Sequence, residues 1–287
     1  MTQTAILEYA KPGIKPELAF TVDETLCTSC GLCAQDCPFG MIQLHPTRVE
    51  HPESCLRCQH CLAICPTGAL SMEGRKPGDS LTLEPGSTPR LDQMIRLVRG
   101  RRSVRQYQDK DVDPALLQEL LKATAHAPTG VNAQQLTFTI VDRRSALSRI
   151  RQEVLARLLR CAEEDRIPER MGLLKRAPAA FFDQGIDLIF RGAPHMLLVS
   201  TPTTAPCGQE DVTIALTTFE LLAISAGLGT VWCGMLKSAL EIAPELKPLL
   251  DLPAEGVRYY PLLFGYPAVE YARTVQRDSA ATIKRLP

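Results

Sequence analysis

Cys27-Thr28-Ser29-Cys30-Gly31-Leu32-Cys33-Ala34-Gln35-Asp36-Cys37-Pro38 decides the architecture of the first part of the chain, because its pattern is written twice. The same spacing returns as Cys55, Cys58, Cys61 and Cys65, again followed by a proline, Pro66. Flanking residues repeat as well: Val22-Asp23 answers to Val49-Glu50 with a one-residue slip, Gly40 to Gly68, and Ile42 to Leu70. An internal repeat outranks other signals in assigning a fold. Each half reads as a short strand, a cysteine-bearing loop, a brief helical turn and a return strand.

Three thiolates two residues apart in a tight loop can wrap three corners of an iron–sulfur cube. This spacing resembles that of the bacterial two-cluster ferredoxins, in which the fourth cysteine of each run ligates the other cluster. The resemblance implies two [4Fe–4S] clusters, one held by Cys27, Cys30, Cys33 and Cys65 and the other by Cys55, Cys58, Cys61 and Cys37. A zinc ribbon would separate its paired cysteines by a longer loop and needs no third cysteine two residues later. Clusters with every ligand position filled suit one-electron transport rather than substrate chemistry. His60 lies between two ligands, but with four thiolates per cluster it reads as a solvated surface histidine. His45, His51, His126 and His195 show no ligand spacing.

Eleven cysteines without a visible secretory signal point to reduced thiols and metal rather than disulfides. The stretch Met1 to Phe20 carries charges and two prolines in place of an apolar core segment. The expected location is the cytoplasm. Lys+Arg and Asp+Glu both number 32, so no global charge draws the chain to nucleic acid or to an anionic membrane. The weakly charged run Val212 to Met235 is long enough to span a bilayer, but Glu220 near its middle would cost about 2.5–3.5 kcal/mol there. A buried helix is the better reading, and no membrane span is expected.

The chain divides, on this reading, into a ferredoxin domain at 1–73, a Gly-, Pro- and Ser-rich linker at 74–90, and a larger domain at 91–287. Leu91, Met94, Ile95 and Val98 recur at helical spacing, and Asp113-Pro114 caps a leucine-rich helix. Ser145 to Glu164 and Asp211 to Ala226 are further helices; residues 136–141, 195–200 and 257–264 read as strands.

Arg101-Arg102-Ser103-Val104-Arg105 puts three guanidinium groups and a hydroxyl within five residues. Guanidinium forks suit phosphate oxygens, although the same run also reads as a solvated basic stretch at a helix end. Four motifs in order resolve this through resemblance. Arg101 to Arg105, Ala127-Pro128-Thr129-Gly130-Val131-Asn132-Ala133-Gln134, Gly227-Leu228-Gly229-Thr230-Val231-Trp232-Cys233-Gly234, and Gly265-Tyr266-Pro267 followed by Arg273 and Arg277 are together similar to the nitroreductase family of FMN enzymes, over roughly residues 91–277.

That resemblance implies an α+β fold with a central mixed sheet flanked by helices, and a homodimer. It implies FMN gripped at its phosphate by Arg101, Arg102, Ser103, Arg105 and Arg273. Pro128, Asn132, Gln134, Trp232, Cys233 and Gly234 would border the flavin, with peptide N–H groups near Cys233 and Gly234 facing the ring. Gln135-Leu136 departs from the Pro-Trp of many relatives. Residues 161–192, with Met171, Phe181, Phe182 and Phe190, match no motif but occupy the region that walls the substrate pocket in the family. Cys161, Cys207 and Cys233 read as small packed residues, since no neighbouring base is evident.

The function expected is reduction of a small electrophilic molecule, such as a nitroaromatic, a quinone or an activated alkene, with electrons relayed through the clusters. Reduced ferredoxin and NAD(P)H are the donors considered, and no catalytic acid is identifiable. The other reading is an electron-transfer protein serving a protein partner. Discriminating between them rests on turnover of a nitroaromatic against rapid oxidation by a protein acceptor alone.

Overall fold

The computed structural model describes residues 17–286. The first sixteen residues and Pro287, which the sequence reading assigns to the two domains, lie outside the described residues. Contacts divide the chain into two units: the described residues up to Thr88 with Thr129–Gln134, and Pro89–Pro128 with Gln135 onward.

In the first unit the duplication is visible as two half-motifs. Strand β1 (Phe20–Val22), helix α1 (Leu32–Asp36) and β2 (Ile42–Gln43) form one; β3 (Arg48–Val49), α2 (His60–Ile64) and β4 (Leu70–Met72) form the other. Pairing crosses between the halves, β1 with β4 and β2 with β3, both antiparallel. The small core of Ile42, Cys61, Leu70 and Met72 therefore draws on both repeats. Arg57, between two cluster cysteines, is ion-paired to Glu73 at 2.7 Å.

Thr129–Gln134 folds with this unit, and Asn132 Nδ2 donates to the Leu56 carbonyl at 2.8 Å. Val131, Asn132 and Gln134 all adopt positive φ. Asn tolerates that region, whereas a β-branched valine there costs about 1–3 kcal/mol.

The second unit is built on a four-stranded sheet of order β5 (Thr137–Val141), β6 (His195–Pro202), β8 (Val257–Gly265) and β7 (Gly229–Trp232). All three strand pairings are antiparallel. A single parallel bridge, Ser103 to Thr230, on the far side of β7 supplies the mixed character expected. β6 is buried over nearly its whole length, from His195 to Thr201.

Helices cover both faces: α3 (Leu91–Gly100), α4 (Pro114–Thr124), α5 (Arg144–Glu163), α6 (Gly172–Gln184), α7 (Gly208–Ser225) and α8 (Gly234–Ile242). Asp113 caps α4 as its sequence demands, accepting from Ala115 N at 2.7 Å. One core joins α5, α6 and α8 to the sheet through Leu155, Leu158, Phe190 and Leu236. The other joins α4 and α7 through Leu117, Leu216, Phe219 and Phe264. Each such side chain, fully buried, stabilises by about 1.5–3 kcal/mol. Among the described residues no helix is long and apolar enough to cross a membrane.

His195 belongs to this core rather than to a site. It is fully buried, and its Nε2 accepts the Val112 N–H at 3.0 Å. A proton on Nε2 would face that N–H donor, and burial holds the imidazole below its ordinary 6.5 against the pull of Asp111. Because the unfolded chain takes up this proton more readily, the contribution is complete above about pH 6.5 and is lost as pH falls. The thermal midpoint is expected to drop between pH 7 and pH 5 with a slope that His195→Gln reduces; an equal slope in the variant would remove the assignment.

Candidate functional site

The eight repeat cysteines line two cavities. About 350 Å³ of empty space is bordered by Cys27, Cys30, Cys33 and Cys65, and about 330 Å³ by Cys37, Cys55, Cys58 and Cys61. Each cavity thus takes three thiols from one repeat and the fourth from the other, as the ferredoxin resemblance implies. Among the described residues no three His, Cys, Asp or Glu side chains gather about a point as a single ion requires.

Donors point at several of the sulfurs. Ala69 N–H donates to Cys65 Sγ at 3.3 Å, Met41 N–H to Cys37 Sγ at 3.3 Å, and Arg57 N–H to Cys55 Sγ at 3.4 Å. The hydroxyls of Thr47 and Thr67 lie 3.9 and 3.7 Å from Cys27 and Cys65. Hydrogen bonds of this kind stabilise ligand sulfurs that carry negative charge and raise a cluster's potential. Burial pushes the Cys61 thiol up to about 12, so its thiolate depends on a bound cation. His60 sits at the rim of the second cavity with most of its side chain exposed, 3.2 Å from Asp36, as a surface histidine.

In the second unit the arginine segment runs along the outer edge of β7. Val104 N–H donates to the Thr230 carbonyl at 2.9 Å, next to the Ser103–Thr230 bridge. A Cβ on Gly229 would sit 2.5 Å from Val104, so this glycine is required by the close approach of the two segments. Gly265 is required likewise by Pro194, also 2.5 Å from its would-be Cβ. The Gly265-Tyr266-Pro267 turn is laced to residues 106–108 by Gln108 N–H to the Tyr266 carbonyl at 2.8 Å and Ala268 N–H to the Gln106 carbonyl at 2.9 Å. Tyr107 OH donates to the Val104 carbonyl at 2.9 Å. Three of the four motifs are therefore in contact within one unit.

Their polar groups are unequal. Arg105 is exposed and donates to the Ser103 carbonyl, while Arg102 donates to the Arg99 carbonyl and keeps its Nε buried without a partner. Arg101 reaches the carboxylate of Glu220 at 3.4 Å. A half-buried guanidinium group with an unsatisfied N–H suits an anion such as a phosphate. Arg273 is exposed in an irregular segment, and no described hydrogen bond or ion pair joins it to the other motifs. Pro128 and Gln134 are exposed; the amide of Gln134 donates to Asn132 Oδ1 at 3.0 Å, and Asn132 is itself held to Leu56.

Around Trp232-Cys233-Gly234 the structure alters one expectation. The Cys233 N–H is already committed to the Pro261 carbonyl at 2.9 Å, as part of the sheet edge, and does not face a ligand. Its thiol is buried beside the Ile189 carbonyl and burial pushes it up to about 12, which leaves it an inert packed residue. Cys161 is buried too, whereas Cys207 is exposed at the start of α7 and is not the packed residue expected. Trp232 packs edge-on against Tyr260.

Gly234 and Met235 border an open, mostly apolar depression with Met171, Leu173, Leu174 and Ser238. Of the four residues expected to wall a pocket, Phe190 lies in the core, Phe181 packs against the core, Phe182 is half exposed, and Met171 borders this depression. Leu173 and Leu174 were not read from the sequence, because Pro178 inside α6 hides that helix; Met235, on α8, follows directly on the glycine-rich motif but was given no role. Glu220 was read only as an obstacle to a membrane span.

The nitroreductase family model matches residues 98–266, and a 4Fe-4S dicluster domain model matches residues 26–70. The FMN reductase [NAD(P)H] of Bacillus subtilis is 28% identical over 206 residues, covering 69% of this chain and 71% of that protein. An uncharacterized ferredoxin of Methanocaldococcus jannaschii is 33% identical over 60 residues, 20% of this chain and 97% of the ferredoxin. Among solved structures, a nitroreductase with bound FMN from Bacteroides fragilis superposes with a TM-score of 0.54 at 20% identity, over 67% of this chain and 99% of that one.

The cluster assignment has a sharp test in paired substitutions. Cys27→Ala with Cys65→Ala strips ligands from one cavity, so iron should fall from about eight to about four per chain. Cys27→Ala with Cys37→Ala strikes both cavities and should remove nearly all of it. Equal losses from the two pairs would refute the crossed arrangement. The match covers most of the chain, and the conclusion is that it belongs to the nitroreductase family of FMN oxidoreductases, with a 4Fe-4S dicluster domain on its N-terminal side.

Proposed function

We propose that the chain is an oxidoreductase that binds FMN in its second unit and reduces a small electrophilic molecule, such as a nitroaromatic, a quinone or an activated alkene, with electrons relayed through the two clusters. The observation that carries this reading is the zipping of Arg101–Arg105 onto β7. It sets guanidinium groups, one with an unsatisfied buried N–H, alongside the Gly229–Trp232 segment in a chain that also holds two four-thiol cavities. Bound FMN supplies exchange between one-electron carriers and two-electron substrates.

The protein's own part is to hold and shield. Arg101, Arg102, Ser103 and Arg105 take the phosphate end, with Arg273 reaching it from the C-terminal segment. Trp232 and Gly234 border the ring, joined by Pro128 as the family resemblance implies. The mostly apolar depression at Met171, Leu174 and Met235 suits a small substrate with little charge. The donor is NAD(P)H, named for the Bacillus subtilis relative, or a reduced ferredoxin.

Homodimerisation is supported by α3, whose Leu91, Ile95 and Val98 are 75%, 44% and 56% exposed on one helical face. Cluster thiols suit a reducing compartment, which supports the cytoplasm.

Protein purified without oxygen is expected to carry about eight iron and eight sulfide per chain and one non-covalent FMN. Arg101→Ala combined with Arg105→Ala should lose the flavin on gel filtration while keeping its iron. Zinc in place of iron, or full flavin retention in the variant, would contradict the proposal.

A further inference from the structure

We infer that Glu220 is a positioning residue for the phosphate end of the flavin site, acting through Arg101. The inference rests on the reading of Arg101 as a phosphate ligand and adds a group that no motif contains. Glu220 sits in the C-terminal half of α7, between the buried Phe219 and Ala223, and is only 5% exposed; the helix's other buried carboxylate, Asp211, lies in its first turn. A carboxylate buried among Leu216, Phe219 and Ala223 is costly unless it is paired and hydrogen-bonded.

Both conditions are met at one atom. Glu220 Oε1 accepts the Thr230 hydroxyl at 2.8 Å and an Arg101 Nη1 hydrogen at 3.4 Å. Thr230 is fully buried and is the same residue whose carbonyl accepts Val104 N–H and whose backbone bridges Ser103. Glu220 is thus the junction at which helix α7, the glycine-rich strand β7 and the arginine segment meet.

The arrangement has the form of a supporting contact beneath a binding group. Arg101 is a long flexible side chain, and leaving it free would cost ordering entropy whenever an anion bound. One of its nitrogens is tethered from below by a carboxylate that Thr230 fixes in turn. The guanidinium group is about one quarter exposed, so its outer edge remains available to a phosphate. The 3.4 Å separation is long for an ion pair, which leaves room for the guanidinium group to turn toward a phosphate without breaking the tether.

The test compares FMN with riboflavin, which lacks the phosphate. Dissociation constants are measured by equilibrium dialysis on the full chain with its clusters in place and its flavin removed. Glu220→Gln preserves shape and an acceptor but removes the charge; FMN affinity should fall about tenfold, a typical effect of removing an outer partner of a binding group, while riboflavin affinity changes less than about twofold. Thr230→Val, which keeps the charge and frees the carboxylate, should shift the FMN-to-riboflavin ratio in the same direction by a smaller factor.

Equal losses for both flavins would mean that Glu220 only supports the fold, and unchanged or tighter FMN binding would mean that it does not orient Arg101. Either result overturns the inference. Arg101→Ala separates the two levels: if it lowers the ratio while the Glu220 and Thr230 variants do not, this inference alone fails. If Arg101→Ala leaves the ratio unchanged, the phosphate-site reading fails with it.

Discussion

Everything in the first unit follows from the crossing of two thiols, Cys37 and Cys65, between two copies of one motif. Three cysteines of a run border one cavity, and the fourth is carried by its own short helix and proline turn to the other. Neither repeat completes a ligand set alone, and neither completes a sheet alone, since β1 pairs with β4 and β2 with β3. A hydrophobic core of four buried residues is too small to hold such a unit by itself. Clusters held in the crossed set that the ferredoxin resemblance implies would tie the halves together and stand in for the missing core, as metal does in other small domains.

In the second unit the comparable constraint is the close approach of the arginine segment to β7. Gly229 permits it, Val104 fills the space that a side chain would take, and Thr230 uses its carbonyl for Val104 and its hydroxyl for Glu220. The glycines of the family motifs thereby acquire a physical reason. They are places where two functional segments touch, and the buried Glu220 of α7 meets that junction through Thr230 and Arg101.

The sequence made some of this legible and hid the rest for definable reasons. The dicluster domain and the grouping of its cysteines about two cavities were readable because cysteine spacing constrains metal geometry directly. Helices α3, α4, α5 and α7 were readable from apolar periodicity and from the Asp113-Pro114 cap. Helix α6 was not, because Pro178 interrupts its signal, and the wall of the depression formed by Leu173 and Leu174 went with it. β7 escaped because its four residues, Gly229 to Trp232, are too few to show alternation. The engaged N–H of Cys233 and the partner of Asn132 are tertiary facts that no local pattern records. Glu220 did carry a signal, a lone charge in an apolar run, but chain order cannot show that Arg101 is its partner.

Under the proposed function, electrons pass within one chain from the clusters to the flavin. The most direct test is rapid anaerobic mixing of the fully loaded protein with a one-electron donor, following the brown and yellow chromophores separately. The flavin should bleach after the clusters, at a rate independent of protein concentration, and this phase should vanish when Cys27 and Cys37 are both replaced by alanine. A flavin that bleaches equally fast without clusters, or at a rate proportional to protein concentration, would contradict the claim.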